Sequence, residues 1–194
     1  MESQTATSAR LMSEKLNKIN SHIMKQTQNN FAYIDAANLY QGISHLGWQL
    51  DYAKFMIWLK EKYGVARAYL FIGLAPKYND LYTNLQEAGF TLVFKETTCD
   101  SEGRIKGNCD ADLVLKTVVD YYEKKFDKAI LISSDGDYSS LAKFLKEKCV
   151  LRTLVSPSNK CSFLLRKINI PILYLDTQRG ILKISQKEKA PGRD

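Results

Sequence analysis

The sequence has no long apolar run and few of the residues that build zinc sites. Although 45% of its 194 residues are hydrophobic, no run approaches the roughly 18 uninterrupted apolar residues that indicate a membrane-spanning helix. Only two histidines and four cysteines are present, and no two cysteines form a Cys-x-x-Cys pair. A zinc site and a disulfide framework are therefore unexpected, and we expect reduced thiols and no membrane partner.

Several motifs of other protein classes are also missing. The chain contains no P-loop sequence and no Gly-x-Gly-x-x-Gly sequence, which argues against P-loop nucleotide hydrolysis and dinucleotide-dependent hydride transfer. The first 30 residues are polar and lack the apolar core of a secretory signal, so we expect a cytoplasmic protein. The length fits one domain of ordinary size with a substantial core.

Acidic residues are fewer than basic residues, and the formal net charge is +7. Residues 1–30 contribute +2 and residues 177–194 contribute +3, which leaves only +2 for the body of the chain. A body that gathers acids at one edge and still stays slightly positive must be basic elsewhere. That distribution suits a polyanion held beside a metal site, and a merely soluble basic protein is the alternative.

Short apolar runs alternate with helical stripes from residue 31 onwards. The predicted strands span 31–34, 65–72, 90–94, 128–132, 150–155 and 172–175. The predicted helices span 52–63, 76–88, 111–125, 138–149 and 160–168. This alternation predicts an α/β fold, a three-layer sandwich with a mainly parallel sheet. Right-handed crossovers then place every strand-to-helix loop at one edge of the sheet.

The two ends of the chain are predicted to lie outside this domain, which spans 31–176. Residues 1–30 comprise a helix and a polar linker, and the helix carries one apolar stripe. The stripe consists of Leu16, Ile19 and Ile23 in residues 13–24, with Met12 just before it. The helix could dock on the domain, pair with another subunit in a homodimer, or fray. Residues 177–194 form a basic tail, in which 181–184 is a candidate seventh strand.

Two further expectations concern the helix at 111–125 and the loop at 39–50. The helix is expected to bury one apolar stripe in the core. That stripe consists of Leu115, Val118, Val119, Tyr122 and Phe126. In the loop, Tyr40 and Trp48 could stack on unpaired bases, and packing of the loop is the alternative interpretation. Residues 97–109 are expected to form a second, polar loop.

Acidic residues follow two of the predicted strands and open one helix. Asp35 ends the first strand, and Asp135 and Asp137 follow the fourth. Asp110 stands where a helix N-cap is expected, and Asp112 lies in the first turn. An acid at a helix start is adequately explained by capping and by the helix dipole, and each acid alone is more readily interpreted as structural or solvated than as catalytic. Together at one sheet edge they would repel one another unless a cation or protons intervened, and carboxylates suit Mg²⁺ or Mn²⁺.

Three segments of the chain resemble the NYN domain of the PIN-like nuclease superfamily, in particular its bacterial LabA-like branch. The segments are Asp35-Ala-Ala-Asn38, Lys106-Gly-Asn-Cys-Asp110-Ala-Asp112-Leu and Ile132-Ser-Ser134-Asp135-Gly-Asp137-Tyr138. They occur in the order of the family, and the resemblance covers about residues 30–176. Ala36 stands where the family usually has glycine, and Tyr138 supplies the usual aromatic residue after the last acid.

The resemblance implies a PIN-like fold, a Mg²⁺ or Mn²⁺ site built from acids, and a role on RNA that is commonly endonucleolytic. The implied catalytic and metal-binding acids are Asp35, Asp110, Asp135 and Asp137, with Asp112 as a further metal ligand. The residues assigned to the substrate are Asn38, Lys106, Ser134 and Lys160.

A metal-dependent ribonuclease is therefore the leading hypothesis for the function. A non-catalytic RNA-binding or scaffold module on the same fold is the alternative. A phosphatase or 5′-nucleotidase is a third interpretation, and it lacks support. Asp135-Gly136-Asp137 is not followed by the Thr/Val pattern of the phospho-aspartate enzymes.

Overall fold

The computed structural model describes residues 28–95, 98–99, 105–106 and 109–185. The strands of the main sheet are β1 (Asn30–Asp35), β2 (Val65–Gly73), β3 (Thr91–Lys95), β6 (Ala129–Ile132), β7 (Leu151–Ser156) and β8 (Ile172–Tyr174). All neighbours in this sheet pair in parallel, and the strand order is β3-β2-β1-β6-β7-β8. A separate antiparallel ribbon joins β4 (Thr98–Cys99) to β5 (Ile105–Lys106). The predicted parallel α/β fold is confirmed.

The connections between the strands are mostly helical. The helices are α1 (Ala36–Ser44), α2 (Tyr52–Tyr63), α3 (Asn79–Glu87), α4 (Asp110–Tyr122), α5 (Ser139–Glu147), α6 (Phe163–Arg166) and α7 (Arg179–Leu182). Short 3-10 turns cover Pro76–Tyr78, Gly136–Tyr138 and Leu175–Gln178. Among the residues that the structure describes, no helix is both long and apolar enough to cross a membrane.

The strands bury both faces, which makes the domain a three-layer sandwich. In β1, Ala32 and Ile34 belong to one core cluster and Phe31 and Tyr33 to the other, as the two-residue period of a strand requires. The first cluster includes side chains of α1, α2, α3 and α7. The second includes side chains of α4, α5 and α6.

The segment after β1 differs from the predicted loop at 39–50. Its first part belongs to the nine-residue helix α1, which buries Leu39 and Ile43 and begins at the capping residue Asp35. Trp48 is buried in the first core cluster, so packing explains this side chain. Tyr40 stays exposed on α1.

Two predictions near the end of the chain are also corrected. The helix expected at 160–168 is limited to Phe163–Arg166, because the preceding loop is tied to the β6 loop by the Ser162 amide, which donates to the Ser134 carbonyl at 3.0 Å. The candidate seventh strand is not formed. Arg179–Leu182 is a helix that buries Leu182, and only a single antiparallel bridge joins Leu50 to Lys183.

Helix α4 presents a different face to the core from the predicted one. Its buried residues are Leu113, Thr117 and Asp120, while Leu115 and Tyr122 are exposed. The stripe prediction is therefore wrong for Leu115, Val119 and Tyr122, whereas Val118 packs partly buried against the second core cluster and Phe126, beyond the end of the helix, is buried.

A hydrogen-bonded acid fixes α4 in this orientation. Asp120 accepts a hydrogen bond from the buried Tyr33 hydroxyl at 3.0 Å and pairs with Lys116 at 2.6 Å. Lys125 Nζ lies 3.5 Å from Asp120 Oδ1, the oxygen that also pairs with Lys116. A fully buried carboxylate needs hydrogen-bonding and ionic partners. Asp120 has them when its own face of α4 is turned towards the core.

Replacing Asp120 tests this buried contact. Asp120→Ala leaves the Tyr33 hydroxyl buried without its acceptor, and we expect a loss of about 1–3 kcal/mol in the free energy of unfolding. Urea denaturation measures it. In a Tyr33→Phe background the same substitution should cost clearly less, and an equal loss in both backgrounds would show that the hydroxyl contact contributes nothing.

Candidate metal centre

Asp35 ends strand β1, and Asp135 follows the adjacent strand β6. β1 pairs in parallel with β6, with Ile34 opposite Ile132. From β1 the chain continues to β2 on one side, and from β6 it continues to β7 on the other side. The strand order therefore reverses between β1 and β6. Open α/β sheets hold their ligands in the crevice at such a switch point, outside the carboxyl ends of the strands.

Three carboxylates meet at this crevice. Oxygen atoms of Asp110, Asp135 and Asp137 all lie within 4.8 Å of one another. Asp110 lies in the first turn of α4 and does not cap it, since the N-cap is Cys109 and makes no side-chain capping bond. Asp135 and Asp137 belong to the turn after β6. An all-oxygen donor set of this kind matches the preference of Mg²⁺ and Mn²⁺.

Local hydrogen bonds shape the turn that carries two of these acids. The Asp135 carboxylate accepts the Asp137 amide at 3.1 Å, and the Asp135 amide donates to Ser133 Oγ at 3.1 Å. A Cβ atom on Gly136 would lie 2.5 Å from Ser162 Oγ. Glycine at this position therefore lets the loop before α6 approach the acidic turn.

Asp35 lies behind the three-acid group and is joined to it by Tyr138. One Asp35 oxygen accepts the Asn38 amide at 3.0 Å and so caps α1. The other accepts the Tyr138 hydroxyl at 3.3 Å. The same hydroxyl makes a close contact with Asp110 Oδ1. Because Tyr138 is fully buried, it holds the two carboxyl groups in a fixed relation to each other.

Burial dominates the electrostatics of this inner layer. It raises the pKa of Asp35, and the charges of Asp110 and Asp135 act in the same direction, while hydrogen bonds from Asn38 and Tyr138 partly oppose them. Burial also raises the pKa of Cys109 to about 11, with a further contribution from the Asp35 charge. The Cys109 thiol therefore stays protonated at neutral pH without metal, and its soft sulfur does not suit Mg²⁺ or Mn²⁺.

The other residues that the sequence assigned to the site have different surroundings. Asp112 pairs with Lys95 at 2.9 Å and is not part of the three-acid group. Asn38 Oδ1 accepts the Ser134 amide at 2.8 Å and the Ser134 hydroxyl at 2.9 Å. Asn38 and Ser134 therefore bind each other and tie α1 to the loop after β6.

Of the two lysines assigned to the substrate, the structure describes the side chain of Lys160 alone. Lys160 is exposed in the loop after β7, two residues before Ser162, whose amide donates to the Ser134 carbonyl at 3.0 Å. Its backbone is therefore close to the acidic turn. Lys106 lies in β5, and its side chain is outside the described part of the chain.

Tyr138 is the site residue that sequence reasoning missed. The sequence showed an aromatic residue after the last acid, but gave no sign that its hydroxyl would reach Asp35 and Asp110. Ser133, which orients the Asp135 amide, was missed for the same reason. Both contacts depend on the angle at which the turn leaves β6.

An all-parallel α/β sandwich with an acidic group at its switch point defines the class of protein. The sequence model of the NYN domain matches residues 31–167, so the chain belongs to the NYN domain family of the PIN-like nuclease superfamily. Placement in the LabA-like branch stays a prediction.

The fold recurs in a crystal structure of a protein of unknown function from Vibrio parahaemolyticus RIMD 2210633. The two chains share 20% sequence identity with a TM-score of 0.68, over 81% of this chain and 96% of that chain. At this identity the likeness concerns the fold alone. No curated protein matches the chain.

The raised pKa of Asp35 predicts a pH dependence of stability without metal. A carboxyl group whose pKa is higher in the folded state stabilises the protein below its ordinary pKa, and this contribution is lost as the pH rises through the raised value. Asp35→Asn keeps a capping oxygen and removes the charge. We therefore expect the difference in melting temperature, variant minus parent, to increase from pH 4 to pH 8 when both proteins are measured in chelator.

The difference between the two proteins reports on Asp35, because the neighbouring side chains of Asp110, Asp135, Cys109 and Tyr138 are present in both. Asp80→Asn, at an exposed position on α3, is the matched control and should lack that rise. A constant difference at every pH would contradict the assignment.

Proposed function

We propose that the chain is a metal-dependent ribonuclease that hydrolyses phosphodiester bonds within RNA. The observation that carries the proposal is the meeting of three carboxylates within 4.8 Å at the switch point of an NYN domain. Three like charges at this spacing oppose folding unless a cation or protons compensate them. The family supplies the reaction class, since membership of the NYN domain family implies a role on RNA that is commonly endonucleolytic.

Asp110, Asp135 and Asp137 would hold Mg²⁺ or Mn²⁺. Their donor atoms are all oxygens, and the two acids on the turn after β6 are accessible to solvent. When bound, such an ion lowers the pKa of a water molecule and neutralises charge on the scissile phosphate. The proposed ligand set is narrower than the five acids named from the sequence, because Asp35 is held behind Tyr138 and Asp112 pairs with Lys95.

The remaining residues of the centre would position this ligand set. Asp35, through the Tyr138 hydroxyl, restrains the Asp110 carboxylate. Asn38 fixes the loop after β6 through its two bonds to Ser134. Such outer contacts normally affect metal affinity or activity by about 10–100-fold when removed.

RNA would reach the centre over exposed basic and aromatic side chains. Lys160 is close enough in the chain to the acidic turn to contact a neighbouring phosphate, and the exposed Tyr40 on α1 offers a face for an unpaired base. Phosphate contacts supply affinity without sequence preference, whereas stacking favours single-stranded RNA.

A non-catalytic RNA-binding module is the second candidate. One observation favours it: the carboxylates of Asp35 and Asp135 both accept backbone amides, so the fold has a structural use for them without any metal. Chelator-sensitive cleavage of RNA distinguishes the two candidates, because a binding module has none.

Asp137→Asn is the sharpest test of the metal centre. The Asp137 residue contributes its amide to the turn, so the substitution keeps that bond and removes one of three charges. Cleavage of labelled single-stranded RNA in Mn²⁺ should fall roughly a hundredfold or more. The melting temperature in chelator should stay level or rise, because carboxylate repulsion is relieved.

The control is again Asp80→Asn, which should cleave at the parent rate. Two results would overturn the catalytic proposal. One is cleavage by the parent that chelator does not reduce. The other is an Asp137→Asn variant that is destabilised but cleaves normally. RNA binding with no cleavage in Mn²⁺ would leave the binding module as the function.

A separate prediction concerns the path of the RNA. Lys160→Ala should weaken RNA binding to a similar extent for different sequences and reduce the slope of log affinity against log salt by about 1, as expected for one lost phosphate contact. Lys148→Ala is the matched control, since Lys148 is exposed at the end of α5, remote from the acidic turn. Binding titrations at several salt concentrations measure both, and equal slopes in all three proteins would remove Lys160 from the path.

A further inference from the structure

The outward face of α4 is apolar along its whole length. This face consists of Ala111, Leu115, Val119 and Tyr122. Leu115 is 63% exposed, Val119 38% and Tyr122 66%. Of these side chains, Tyr122 contacts the rings of Tyr121 and Phe144. A helix on the surface of a globular protein normally turns polar residues outward, so a continuous apolar line indicates that another element covers it.

The described chain begins beside one end of this face. The Asn29 amide donates to the Asp127 carboxylate at 3.0 Å, and Asn29 Nδ2 donates to the Lys125 carbonyl at 2.7 Å. The Asp127 amide in turn donates to the Asn29 carbonyl at 2.9 Å. These three bonds fix residue 29 to the turn that follows α4. The preceding residues therefore start next to the Tyr122 end of the helix.

The sequence before residue 28 carries a matching apolar stripe. Its members are Met12, Leu16, Ile19 and Ile23. From Met12 to Ile23 and from Ala111 to Tyr122 the separation is the same, and each stripe would span about 16 Å in a helix.

We propose that residues 12–24 form a helix that docks parallel to α4 on its outward face in the same chain. Ile23 would then pack near Tyr122, and Leu16 near Leu115. The parallel direction follows from the connection. In the antiparallel direction the six residues after Ile23 would have to run back along α4 for about 21 Å, which only a fully stretched chain can reach.

The size of the face favours this occupant over a second copy of the chain. A stable dimer interface normally buries about 800 Å² on each partner, and a line of one alanine and three larger side chains falls short of that. Docking within one chain does not lose the translational freedom that association of two molecules loses. A small apolar face can therefore hold a tethered helix.

Amide hydrogen exchange in the full-length protein tests the proposal. We expect the amides of residues 16–23 to exchange roughly tenfold or more slowly than in an unstructured chain, at every protein concentration. Leu115→Gln combined with Val119→Gln should abolish that protection while the amides of β1 and β6 stay protected. Ile57→Gln is the matched control, because Ile57 is 55% exposed on α2 at the opposite face of the sheet, and it should change nothing.

A reciprocal variant makes the test independent of α4. Ile19→Gln should abolish the same protection with α4 unaltered, and it decides the matter alone if the α4 variant does not fold. The proposal is overturned if residues 16–23 exchange freely in the parent, or if their protection survives both sets of substitutions. Protection that appears only at high protein concentration, with a dimeric mass by light scattering, would assign the face to a second copy instead.

Discussion

The parallel pairing of β1 with β6 is the constraint on which the candidate centre depends. Because these strands lie side by side with Ile34 opposite Ile132, acids that are far apart in sequence emerge at one edge of the sheet. The pairing also sends the following chain in opposite directions, which opens the crevice between the two loops. A slip of one residue would turn the alternating side chains of β1 to the wrong core, so the two cores hold the register that the centre needs.

The crowding of acids at this crevice opposes folding, and the surrounding residues limit its effect. Asp35 is buried beside Asp110 and Asp135 with a raised pKa, and Tyr138 and the Asn38 amide give its oxygens partners. Asp135 and Asp137, on the turn after β6, stay open to solvent. An arrangement that costs stability without a cation is the kind that proteins retain for function.

The sequence predicts the features that neighbouring residues determine. It does not predict the features that depend on tertiary packing. Strand ends and their acids follow from short apolar runs and parallel topology, so the edge that carries Asp35 and Asp135 was predictable. The outward stripe on α4 was not, because Asp120 turns the helix through a bond to Tyr33 that periodicity does not reveal. Tyr138 joins two acids only after three elements have packed, and no local pattern indicates that contact.

The central claim is that Asp110, Asp135 and Asp137 form one cation site. Anomalous diffraction from crystals grown with Mn²⁺ tests it most directly, because the signal locates the ion without reference to activity. The account predicts a Mn²⁺ peak bounded by these three carboxylates, which disappears at the same Mn²⁺ concentration in Asp137→Asn crystals. A peak elsewhere on the protein, or none in the parent at saturating Mn²⁺, would contradict it.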